Sequence, residues 1–97
     1  MWKTRPVVVV SRFRDLYGTC AVLPVTTQDP GNNPWAYPFS ISLSGHRNWV
    51  LCNLISTVAV SRLSADRSGI PRVPQEEFGQ ILARLRAWLP SVQEIAE

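Results

Sequence analysis

The sequence is poor in the residues that most often carry chemistry. It has one histidine, His46, so no mechanism that passes a proton between two imidazoles can be built. Placed just after Ser44 and Gly45, it reads first as a solvated loop residue. The two cysteines, Cys20 and Cys52, stand in apolar, strand-like stretches with no CxxC spacing and no histidine nearby, which argues against zinc and for reduced core thiols. Carboxylates are scattered: Asp15, Asp29 and Asp66 fall in loop-like stretches, and Glu76 and Glu77 open a helical pattern. No metal-binding cluster is therefore expected, and the chain is read as using no metal and no cofactor. A glycine-rich phosphate loop and a nucleophile elbow are both missing. So are long apolar runs: the longest, 7–10 and 21–25, fall far short of the ~20 residues that span a membrane. A cytoplasmic protein with no membrane partner is the expectation.

What is present points to one folded domain, 1–97. Ninety-seven residues cannot hold two independent cores, while 45% hydrophobic against 18% charged residues is enough apolar matter for a packed interior. A domain this small is marginal alone, and four tryptophans suggest surface that a partner covers, so an oligomer is expected. Ten basic and seven acidic side chains leave a formal net charge of +3, a modest attraction for polyanions that does not say which one.

Along the chain, residues 5–11 (RPVVVVS) carry four consecutive valines, which predict a strand buried on both faces in the middle of a sheet. Residues 12–18 suit a turn. A second strand is expected over 19–27, with Pro24 at a bulge or an unpaired position because it has no N–H for a ladder. Residues 28–37 (QDPGNNPWAY) read as an irregular loop presenting Trp35. Phe39, Ile41 and Leu43 alternate with serines, a period-2 strand ending at Gly45. Strand material resumes over 49–54 and 55–61, broken around Asn53. After a turn-rich connector, Phe78, Ile81, Leu82, Leu85 and Trp88 or Leu89 recur at helical spacing, so a helix is expected over 74–89. Pro74 and the two glutamates suit its start, Arg84 and Arg86 its end, and Pro90 stops it. A short amphipathic turn is expected over 91–97. Short antiparallel strands followed by one terminal helix describe a mainly β fold, a small barrel or strongly curved sheet capped by a C-terminal helix.

With no metal and no histidine pair, the remaining chemistry lies in arginines and hydroxyls: Arg5 at a strand start, Arg12 and Arg14 in the next turn, and the cluster Thr26, Thr27, Gln28 where the second strand meets its loop. A fixed cation and O–H donors are what a phosphodiester needs when its nucleophile is its own 2′-OH. The plainer reading is a polar strand end and a solvated arginine rim.

In order, RPVVVVS, LPVTTQ, YPFSISLSG, ISTVAVSRL and PQEEFGQILARLRAWL resemble the MazF/PemK/Kid family of toxin endoribonucleases, from about residue 5 to residue 89. The resemblance implies an SH3-like barrel of the CcdB/MazF type with a C-terminal helix, a homodimer that cuts single-stranded RNA at short sequences without metal and is inhibited by a cognate antitoxin of the MazE/PemI kind. Carried over by position, Arg5 matches the family's catalytic arginine and Thr26 its catalytic threonine. Thr27 and Gln28 would line the groove, Trp35 would stack on a splayed base, and Arg12, Arg14 and Arg47 would contact phosphates. Relatives open with a further strand and a flexible loop before the Arg-Pro pair, whereas four residues precede Arg5 here, so the usual first strand is expected to be lacking. A start assigned too far downstream is ranked above a degenerate copy or a compact variant. Asn53 and Leu54 stand where relatives often carry an acidic or amide pair. The alternative is a non-catalytic protein of the same fold that binds an antitoxin or, like the CcdB group, a protein target.

Overall fold

A computed structural model describes residues 6–12, 18–43, 45–63 and 72–90, with 42 and 43 described by backbone only. Among the described residues the β-branched and apolar runs form five strands: β1 (Val7–Val9), β2 (Thr19–Thr26), β3 (Ala36–Leu43), β4 (His46–Leu51) and β5 (Ser56–Ala59). A 3-10 turn over Val60–Arg62 follows, then a helix, α1 (Gln75–Trp88). All pairings are antiparallel, in the order β1-β2-β4-β3, with β5 also on β2. The fold is mainly β, a curled half-barrel sheet with a C-terminal helix, as the sequence suggested.

The sheet curls because β2 changes partner along one edge. Its first half pairs with β5 from Thr19↔Ala59 to Val22↔Ser56, and its end pairs with β4 at Val25↔Val50 and Thr26↔Trp49. Pro24 falls between the two ladders. On the opposite edge, Val10 N–H donates to the Ala21 carbonyl (2.9 Å) and Val25 N–H to the Pro6 carbonyl (3.2 Å), so odd residues of β2 face β1 and the even Pro24 faces the fork. A residue without an N–H thus occupies the position where no partner strand asks for one.

Alternation along β2 builds two clusters on opposite faces. Leu23 and Val25 join Val8, Tyr37, Val50, Cys52, Ile81 and Leu85 in the main core under α1. Cys20 and Val22 join Val60 in a smaller cluster with Val9, Val58 and Leu63 on the other face. Both thiols are free and buried, and they belong to different clusters, which fits the expected reduced core role. Fully burying a side chain the size of Leu23 or Ile81 stabilises by roughly 1.5–3 kcal/mol.

Several expectations change. β1 is an end strand among the described residues rather than a central one, and Val7 is exposed. The helical stripe stops at Leu85, since Trp88 and Leu89 are exposed at 41% and 42%. Pro74 is the residue before α1 and not within it, its carbonyl accepting from Phe78 N–H (2.9 Å). Arg84 does not serve the helix end; its guanidinium turns to the sheet, donates to the Ala36 carbonyl and lies 5.1 Å from the Tyr37 ring centre. The expected turn residues 13–17, connector residues 64–71 and the segment 91–97 lie outside the described residues. No helix among the described residues is long and apolar enough to cross a membrane.

Edge strand β3 is sealed by α1. Its ladder to β4 uses Trp35, whose carbonyl accepts from Cys52 N–H (3.1 Å), so Ala36, Pro38 and Ser40 turn their backbone groups away from β4. The Ala36 carbonyl receives Arg84, Pro38 has no N–H to expose, and Ser40 N–H donates to the Glu77 carboxylate (3.0 Å), joined there by the Ser40 hydroxyl. These contacts cover the edge at Ala36 and Ser40.

Candidate functional site

The face of β2 and β4 away from α1 is set by register. The pair Thr26↔Trp49 puts both side chains on one face, and Trp49 is opposite Pro38 on β3 as well. Alternation adds Arg47 and Leu51 to that face and sends Asn48, Val50 and Cys52 the other way. Asn48 is 2% exposed, and its carboxamide N–H groups donate to the Ile41 (2.9 Å) and His46 (3.0 Å) carbonyls. There the β3–β4 register slips between Phe39↔Asn48 and Leu43↔His46, leaving three β3 residues against one on β4. A buried amide thus staples a bulge and fixes which β4 side chains face out. Gly45, at φ 74°, takes the left-handed conformation at the hairpin's end.

Thr26 is the last residue of β2 and half-buried. Its Oγ1 accepts from the Gln28 N–H (3.1 Å), which turns the chain out of the strand. That bond uses a lone pair, so the Thr26 O–H is still a donor for another oxygen. The following loop is ordered by its own side chains: Asp29 Oδ1 accepts from Gly31 N–H (2.8 Å) and Asn33 Oδ1 from Trp35 N–H (2.9 Å). Thr26, Gln28, Asp29, Pro30, Asn33 and Leu51 line a depression of about 190 Å³. A second, of about 260 Å³, has Pro38, Ser40, His46, Arg47 and Trp49 among its lining residues. The Arg47 guanidinium carbon lies 5.4 Å from the Trp49 ring centre, within cation–π range.

Of the residues singled out from the sequence, Thr26, Thr27, Gln28 and Arg47 are brought to this region, with Thr27, Gln28 and Arg47 exposed. Arg12 is exposed at the other end of the β1–β2 ladder. There Ser11 Oγ accepts from Ala21 N–H (2.7 Å), five residues and about 16 Å of strand from Thr26. Trp35 is not the exposed loop ring expected; it is half-buried and packs against the main core. Arg5 and Arg14 lie outside the described residues. Trp49 and Asp29 also line these depressions, and neither stands out in the sequence. Trp49 opens an apolar run, and Asp29 is one of several scattered loop carboxylates.

The two described groups whose proton affinity is clearly shifted lie on the helix side. Burial, with the Glu77 carboxylate beside it, raises the Tyr37 phenol above its ordinary 10.0, and burial raises the Cys52 thiol above 9.0. Both stay protonated at neutral pH and strengthen the core rather than mark a reaction centre.

A small curled sheet closed by a helix, with a hydroxyl, a cation and an aromatic ring on its open face, defines a compact β-type module whose chemistry, if any, belongs to that face. Fold alone leaves the activity undecided. Residues 1–89 match the family described as PemK-like, MazF-like toxin of type II toxin-antitoxin system, and the chain belongs to that family. No curated protein matches it.

Proposed function

We propose that this toxin is an endoribonuclease that cleaves single-stranded RNA at short sequences without a metal, with Thr26 and Arg5 as its catalytic residues. The observation that carries the reading is Thr26 itself: a half-buried hydroxyl at the end of β2, its O–H still available as a donor, on the open face of the sheet. Arg5 lies outside the described residues, but its covalent neighbour Pro6 bonds through its carbonyl to Val25, the residue before Thr26.

The RNA 2′-OH attacks the adjacent phosphorus, the 2′-O–P bond forms and the P–O5′ bond breaks. The 2′-OH proton is lost to a base and the leaving 5′ oxygen gains one, which gives a 2′,3′-cyclic phosphate and a free 5′-OH. The Arg5 guanidinium stabilises charge building on the phosphorane oxygens, and the Thr26 O–H holds a phosphate oxygen or assists proton transfer. Thr27 and Gln28 line the groove beyond. The single domain 1–97 works as a homodimer in the cytoplasm and is inhibited by a cognate antitoxin of the MazE/PemI kind.

Purified protein incubated with mixed-sequence RNA in EDTA tests this. Cleavage that is lost in Arg5→Ala supports the reading; an inert wild type, or an Arg5→Ala variant that cuts at the wild-type rate, overturns it.

A further inference from the structure

We propose that Trp49, with Arg47 seated over it, is a stacking platform for one base of single-stranded RNA, beside the reacting phosphate at Thr26. The inference rests on the ribonuclease reading above. Trp49 is the direct cross-strand partner of Thr26, and such pairs hold their Cβ atoms about 4.5–5.5 Å apart. A base belonging to a nucleotide next to a phosphate at Thr26 is therefore within reach of the indole. The ring's position is unusual for packing alone. It lies on the sheet face that α1 does not cover, where an antiparallel strand ordinarily presents polar side chains, while a polar residue, Asn48, takes the inward place beside it.

The surroundings fit a base. Trp49, Arg47 and Pro38 line the depression of about 260 Å³, just below the ~300–1,000 Å³ of pockets for drug-sized ligands and so sized for a fragment such as a single base. Pro38, opposite Trp49 on β3, supplies an apolar wall. Both an indole and a guanidinium plane stack on nucleobases, and the Arg47–Trp49 pair at 5.4 Å offers the two together. Arg47 then acts mainly through the stack, rather than as the separate phosphate contact its charge alone suggests. Every base has a π-face, so the platform anchors the strand beside the scissile linkage without by itself choosing the sequence.

The test uses a short, mixed-sequence, 2′-O-methylated single-stranded oligonucleotide, which lacks the attacking hydroxyl and stays intact, and measures Kd by fluorescence anisotropy over a salt series. Trp49→Leu keeps apolar bulk without a ring face and is expected to weaken binding roughly 5- to 150-fold, with the salt slope unchanged because no charge is lost. Trp49→Phe is expected to recover most of the affinity. Oligonucleotides with one base removed, scanned position by position, should show a position that weakens wild type but adds nothing in Trp49→Leu. If Trp49→Leu binds as tightly as wild type, or every single-base deletion costs the same in both proteins, the platform is overturned while the ribonuclease reading stands. A wild-type protein that neither binds this strand nor cleaves natural RNA overturns the ribonuclease reading itself.

Discussion

The two faces of β2 and β4 are made by alternate residues of the same strands, yet they are organised on opposite principles. Under α1, Leu23, Val25, Val50 and Cys52 close onto Ile81 and Leu85, and polar groups at the boundary are tied: Glu77 to Ser40, Arg84 to Ala36. On the other face Thr26, Trp49 and Arg47 stay half-buried or exposed beside two shallow depressions. Where β2 meets β4 one face is packed under α1 and the other is left uncovered, whereas earlier in β2 Cys20 and Val22 pack that second face as well. In that stretch residue parity along one strand separates packed side chains from uncovered ones.

The sharpest way to break that separation is to damage the helix side. Ile81→Ala removes a fully buried side chain at the centre of the main core and is expected to cost about 2–5 kcal/mol. Chemical unfolding followed by circular dichroism would read this as a large fall in midpoint, enough to unfold much of so small a domain. A loss under 1 kcal/mol would mean that α1 is not the closing element. Glu77→Gln keeps the shape but weakens two charge-assisted bonds at a solvent-exposed boundary, so about 1 kcal/mol is expected, with faster hydrogen exchange at the Ser40 amide. Unchanged exchange there would show that Glu77 does not seal the β3 edge.

A smaller effect is the pH dependence. The fold holds the Tyr37 and Cys52 protons more tightly than the unfolded chain does, so their contribution is fully present below the ordinary values of 9.0 and 10.0. It is lost as pH rises through the higher folded values, because the unfolded chain ionises first. Urea midpoints should fall as pH rises past about 9, and Tyr37→Phe should flatten the later part of that fall. An equal fall in Tyr37→Phe would assign the effect to other groups.

The helix side was largely legible in the sequence. Phe78, Ile81, Leu82 and Leu85 repeat at a period no strand can use, and the α1 boundaries Gln75–Trp88 fall within the expected 74–89. Pro24 was also readable, because a missing N–H restricts a residue wherever the strand goes. The open face was only half legible. Thr26 stood out as a polar strand end, but Trp49 did not, since parity in β4 is inverted relative to hydropathy: Asn48 points in and Trp49 points out. That inversion depends on the β3 bulge and the Asn48 bonds across it, which are non-local and leave no period in the sequence. Trp35 was misjudged for a related reason. A loop rich in Pro, Gly and Asn suggests exposure, yet turns made by Asp29 and Asn33 fold this one back so that its ring joins the core.

The most direct test compares wild type, Thr26→Ala and Thr26→Ser for RNA cleavage in EDTA, with the product ends identified and unfolding measured on the same samples. The account predicts cyclic phosphate and 5′-OH ends from wild type, a rate about 10²- to 10³-fold lower in Thr26→Ala, partial recovery in Thr26→Ser, and stabilities within about 1 kcal/mol of one another. Thr26→Ala cutting at the wild-type rate, or losing activity only because it unfolds, would contradict it.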